Sequence, residues 1–272
     1  SICLGTYDGD VRIHTLSTEA SPARTWQWHD PTGRRVEATK WLTRDEVVVG
    51  LRGSGGEAEI ILLNQQCEIP LQSTCRVDGM PLTLFELDEQ VWCVTSSGAV
   101  TCHDRSTLGP LPSVVERAGD AFAACPSPDG NFVHIGGSEG WVRTVELSSG
   151  NVVASEQVGQ GSVSALAAAG DTVVAGARSG EVVALNTNGT TRSRLVFRRP
   201  GTWCTALALG ADRRLVAGFQ DETWDLPNAD SPPVQISSPP FIDRPSDTDW
   251  LGWETLVDYI ADQLTHFQRS PN

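Results

Sequence analysis

The residues able to do chemistry are the first thing to weigh. The chain has five histidines, seven cysteines and 34 acidic against 20 basic residues. A zinc site needs three or four ligands that converge. His14, His29, His103, His134 and His266 are scattered, and three of them stand singly within or at the ends of apolar runs. The cysteines (Cys3, Cys67, Cys75, Cys93, Cys102, Cys125, Cys204) form no C-x-x-C pair, and several lie inside apolar runs. There a free cysteine behaves as a small hydrophobe. His103-Asp104 is the one adjacent pair of catalytic type. No G-x-S-x-G elbow occurs, and Gly53–Glu57 reads as a hairpin turn rather than a phosphate loop, which would open a helix and end in Lys-Ser/Thr. These residues predict a protein that is not an enzyme, with no metal and no cofactor. The alternative is a propeller-type hydrolase with a metal near a central axis, for which Asp8, Asp78, Asp120 and Asp221 are the available carboxylates.

The elements that must carry these residues repeat. An apolar run, a Gly turn and an alternating strand recur around Gly9, Gly56, Gly98, Gly140 and Gly180, at separations of 47, 42, 42 and 40 residues. A weaker sixth copy follows at Gly218. A period near 40 built from strands and turns is the mark of propeller blades. In the fourth unit the strands are "DAFAACPSPD", "NFVHIGG", "WVRTVEL" and "NVVASEQV", joined by turns at Pro128-Asp129-Gly130, Glu139-Gly140 and Ser148-Ser149-Gly150. Pro presets φ and Gly tolerates a positive φ in such turns. The first unit enters at its second strand, so its N-terminal strand is missing. The segment Val234–Ser238 either supplies a strand that closes the ring, or the ring is left open. An open ring would expose a strand edge to addition by another chain.

The last fifty residues differ in kind. Residues 227–249 turn to Pro, Ser and Asp and read as an extended linker. Within 250–269, Trp250, Trp253, Val257, Ile260, Leu264 and Phe267 recur at intervals of three and four, one stripe of an amphipathic helix. That stripe must be buried, either on the chain's own propeller or in a groove of another subunit.

Charge narrows the partners. The net charge is −14, and residues 221–272 hold ten acidic residues against Arg244 and Arg269. An acidic protein does not gather phosphate backbones by counterion release, which argues against direct nucleic-acid binding. No run reaches the roughly 18 apolar residues of a membrane helix, and an acidic amphipathic helix binds membranes poorly. The opening residues show no basic patch followed by an apolar core. With the unpaired cysteines, this predicts an intracellular chain, cytoplasmic or nuclear.

The repeats resemble WD40 repeats. Ser127-Pro128-Asp129-Gly130 and Asp8-Gly9 match the family's turns, and Trp224-Asp225 matches its dipeptide. Elsewhere the dipeptide position reads His103-Asp104, Val145-Glu146, Leu185-Asn186 and Leu63-Asn64, and the Gly-His pair is absent. The resemblance covers residues 1–226. It implies an all-β propeller of about six blades, the first incomplete, followed by a linker and one helix. It also implies a scaffold or adaptor within a multiprotein assembly. In WD40 propellers the turns between second and third strands share one face with the connections between blades. That face would carry Tyr7, Arg52, Arg117, Arg178 and Trp203, residue types that favour binding of other protein subunits.

Overall fold

The computed structural model describes residues 2–6, 8–15, 24–43, 45–64, 73–112, 118–186, 193–210, 214–220, 223–226 and 234–236. They form six antiparallel sheets in chain order. Blade 1 comprises β1 (Ile2–Gly5), β2 (Asp10–Thr15) and β3 (Arg24–His29); blade 2 comprises β4 (Arg35–Trp41), β5 (Glu46–Arg52), β6 (Ala58–Asn64) and β7 (Thr74–Val77). Blade 3 is β8 (Pro81–Leu87), β9 (Gln90–Thr95) and β10 (Val100–Asp104); blade 4 is β11 (Ala121–Pro126), β12 (Phe132–Gly137), β13 (Trp141–Glu146) and β14 (Val152–Gln157). Blade 5 is β15 (Val163–Ala169), β16 (Thr172–Ala177), β17 (Glu181–Asn186) and β18 (Arg194–Arg198). Blade 6 is β19 (Cys204–Leu209), β20 (Leu215–Phe219), β21 (Thr223–Leu226) and β22 (Val234–Ile236). The only helical element among the described residues is a 3-10 turn at Ser138–Gly140.

Complete blades pack first strand on first strand, β4 on β8, β8 on β11, β11 on β15 and β15 on β19, while β1, which corresponds to a second strand, packs on β4. The second strands of the blades are mostly apolar, and β9, β12 and β16 are each buried from their second residue to their last. The outermost strand β14 is almost wholly exposed.

The packing rests on a repeated exchange of volume. Every complete first strand carries a β-bulge at its second register position: Val36/Ala38, Pro81/Thr83, Ala121/Ala123, Val163/Ala165 and Cys204/Ala206. The residue before the bulge is a knob aimed at the preceding blade. Its socket is a glycine: a Cβ on Gly5 would lie under 3.0 Å from Val36, one on Gly50 from Pro81, one on Gly136 from Val163 and one on Gly176 from Cys204. Blade 3 reverses the sizes, placing Val94 in the socket and Ala121 as the knob, both in one buried cluster. Interiors near crystal density leave room for one side chain or the other.

Among the described residues the ring is not closed. Here the expected closing strand needs correction. Val234–Ile236 pairs antiparallel with β21 as the fourth strand of blade 6, not with β1. Its register sets Thr223 opposite Ile236 and Asp225 opposite Val234. Among the described residues, β1 is hydrogen-bonded to β2 alone. The tail helix expected at 250–269 lies outside the described residues, as do residues 113–117, which follow β10 of blade 3.

Candidate functional site

Backbone hydrogen bonds place the two families of turns at one end of the ring. Asp30 N donates to Gly9 O, Ala118 N to Gly98 O, Val158 N to Gly140 O, and Arg199 N to Gly180 O, each within 3.0 Å. In every case a connection between blades is tied to the turn between a blade's second and third strands. These turns need positive φ, which Gly9, Gly98, Gly140 and Gly180 supply. A side chain at any of them would also run into the neighbouring backbone.

On this end the structure assembles three side chains from three blades. The Arg178 guanidinium, in the turn of blade 5, lies 5.1 Å from the Phe122 ring centroid on β11 and 4.6 Å from that of Trp203, just before β19. Both distances are within cation–π range. Phe122 is 38% exposed and Trp203 44% exposed, so the stack is on the surface rather than between blades. The backbone fixes Arg178 through its N–H to Ser162 O (2.9 Å), and Gln220 N binds Trp203 O (3.1 Å). The guanidinium's N–H groups can donate to an acceptor such as a carboxylate.

Arg178 and Trp203 were expected on this face from the sequence, and the structure brings them together. Phe122 was missed. It is the bulge residue of β11, and the bulge breaks the alternation from which its direction would be read. Arg52 is also exposed on this end, on blade 2, and donates to the Met80 sulfur at 3.3 Å. It is not part of the stack. Tyr7 and Arg117 lie outside the described residues, as do Trp250, Trp253, Val257, Ile260, Leu264 and Phe267.

Beside Arg52, an ionic knot secures the connection from blade 1 to blade 2. Asp30 is fully buried and accepts from Arg34 Nη2 (2.8 Å), Arg34 N (2.8 Å) and Thr32 Oγ1 (2.6 Å). Arg34 also reaches Glu59. Burial opposes ionisation of Asp30, but the hydrogen bonds from Arg34 and Thr32 outweigh it and hold its carboxyl at about 2.

The catalytic-looking pair does not form. His103 is buried, with Nε2 2.8 Å from Thr101 Oγ1 and Nδ1 3.3 Å from Leu108 O, and burial lowers its pKa. Asp104 instead accepts from the hydroxyls and backbone N–H groups of Ser106 and Thr107, which hold it at about 2. It is a turn-former. Among the described residues no three His, Cys, Asp or Glu side chains come together as metal ligands. The described cysteines are all free. No described helix is long and apolar enough to cross a membrane.

A cavity of about 660 Å³ lies between blades 4 and 5, lined by the Ser127–Asp129 turn, Gly170-Asp171, His134 and Thr144. His134 Nδ1 is 3.0 Å from Thr144 Oγ1, and burial pushes the imidazole down to about 4. It is therefore neutral at physiological pH and serves as a buried hydrogen-bonding group.

No family model matches the sequence, and no curated protein matches it significantly. Solved structures do match. The β-propeller domain of Cps50 (Swd1) from Myceliophteria thermophila superposes with a TM-score of 0.65 at 14% identity, over 87% of this chain and 83% of that one. The repeats that resemble WD40 units thus fold as those units do, and the chain has the fold of a β-propeller.

Proposed function

We propose that this propeller is a non-catalytic scaffold or adaptor that binds other protein subunits through the end of the ring carrying Arg178. The observation that carries this reading is the Phe122–Arg178–Trp203 stack, three exposed side chains of the types enriched at binding hot spots, drawn from three adjacent blades. Its guanidinium favours an acidic peptide. Because the chain's net charge is −14, that preference is local and not a matter of long-range steering. The similarity to the Cps50 (Swd1) propeller supports the fold on which such a role rests. The stripe from Trp250 to Phe267 provides a second apolar surface for a partner subunit.

Affinity purification from the native cell tests both surfaces. Each exposed cation–π contact is worth about 0.5–1 kcal/mol, so Arg178→Ala with Trp203→Ala should lower the melting temperature by only several degrees and leave the protein folded. The double variant should lose co-purifying proteins that an outer-strand control, Arg76→Ala, retains. Trp253→Ala with Ile260→Ala reports on the tail in the same way. Retention of every partner by the Arg178/Trp203 variant would exclude that face as the binding surface.

A further inference from the structure

The cavity between blades 4 and 5 lies at the other end of the ring from Arg178. It touches the turns between first and second strands, at residues 127–129 and 170–171, whereas Arg178 sits in a turn between second and third strands. Its volume of about 660 Å³ falls in the range of small-ligand sites, roughly 300–1,000 Å³. The walls are apolar, with Phe132 and Val142 from blade 4 and Val173 and Leu185 from blade 5. The charged side chains that line it are all acids: Asp129, Glu146 and Glu156 on blade 4 and Asp171 on blade 5.

A buried polar side chain lines the same space. His134 is only 2% exposed, and Thr144 Oγ1 takes up its Nδ1 at 3.0 Å. Among the described residues its Nε2 has no hydrogen-bond partner, which leaves that nitrogen for a ligand. A ring nitrogen is costly to leave buried and unbonded.

We propose that this cavity binds a basic side chain, arginine or lysine, presented by a segment of a partner protein. Four carboxylates around one space repel each other, and a cation between them turns that repulsion into attraction. The methylene stem of such a side chain packs on apolar walls while its head meets the carboxylates. The cationic head can also donate to Nε2 of His134 when Nδ1–H donates to Thr144 Oγ1. A segment of chain fits better than a free amine, because Val153, which lines the cavity, and Val152 beside it are both exposed on β14. They offer an apolar surface to the residues flanking the basic one. This partner is opposite in charge to the one that suits the Arg178 stack, and neither site depends on the other.

NMR titration of the full chain with blocked pentapeptides, Ala-Ala-X-Ala-Ala, tests this, with X as arginine, lysine or norleucine. The arginine and lysine peptides should shift backbone signals of residues 132–146 and 170–173, and the norleucine peptide should leave them in place. Glu156→Gln should weaken binding about two- to fivefold, the worth of one partly exposed ion pair. Glu89→Gln, an equal change of net charge on an exposed turn of blade 3, should not. Ala154→Phe puts a ring into the cavity from the exposed outer strand and should abolish binding. The two glutamate variants decide the matter even where the phenylalanine variant fails to fold. The proposal is overturned if no signals shift, if the shifts lie elsewhere on the ring, or if the norleucine peptide binds as tightly. Equal weakening by Glu156→Gln and Glu89→Gln, or full binding by a folded Ala154→Phe, overturns it as well.

Discussion

The exchange of volume between blades gives a prediction that can be worked through in energy. Gly136→Val puts a side chain where Val163 Cγ1 and Cβ already sit, with Leu166 Cδ1 3.3 Å away on the other side. Val163 is fully buried and cannot swing into solvent. Forcing extra carbons into such a site costs about 1–3 kcal/mol. Val163→Ala alone removes two methyl groups from the same contact, at about 2 kcal/mol for lost transfer and cavity together. Independent effects would sum to roughly 4 kcal/mol. The double variant instead recreates the Val94–Ala121 arrangement. It should cost on the order of 1 kcal/mol, a coupling of about 3 kcal/mol. Calorimetry of the four proteins reads this directly, at roughly 2–4 °C per kcal/mol for a domain of this size. Additive losses in the double variant would refute the knob-and-socket account.

Two further predictions follow from charge and burial. The Asp30 carboxyl lies at about 2 rather than its ordinary 3.8, so its ionised form supports the fold by about 2 kcal/mol at neutral pH. The sign is that of a depressed acid: the contribution is complete above about pH 5 and disappears as pH falls through 4 toward 2. Asp30→Asn should therefore lower the melting temperature at pH 7 and differ much less from wild type near pH 2.5. A gap independent of pH would count against the ionic knot. Burial pushes Cys93, Cys125 and Cys204 up to about 12, and the thiolate is the reactive form. Iodoacetamide at pH 8 should leave the buried Cys93 and Cys204 unmodified in the native protein and the half-buried Cys125 slow to react, with full labelling only after unfolding, as read by peptide mass spectrometry; rapid native labelling of Cys93 or Cys204 would contradict their burial.

The sequence by itself determined the blade plan. Hairpins form between neighbours in the chain, so Gly turns spaced about 40 residues apart and alternating apolar strands are enough to mark the sheets and their strand order. The resemblance to WD40 repeats also implied that Arg178 and Trp203 share one end of the ring, since their turns recur at fixed places in the repeat. Contacts between blades were a different matter. Phe122, Arg178 and Trp203 meet only because three blades stack side by side, and the β11 bulge turns Phe122 out of the strand's alternation. Val234–Ile236 was legible as a strand. Whether it joined β21 or β1 depended on which blade lacked an outer strand, a property of the assembled ring. Gly5, Gly50, Gly136 and Gly176 look like ordinary strand glycines in the sequence, and only packing shows that each receives a side chain from the next blade. Local chemistry chooses the strands and turns, whereas volume is shared between residues distant in the chain and has no meaning until they touch.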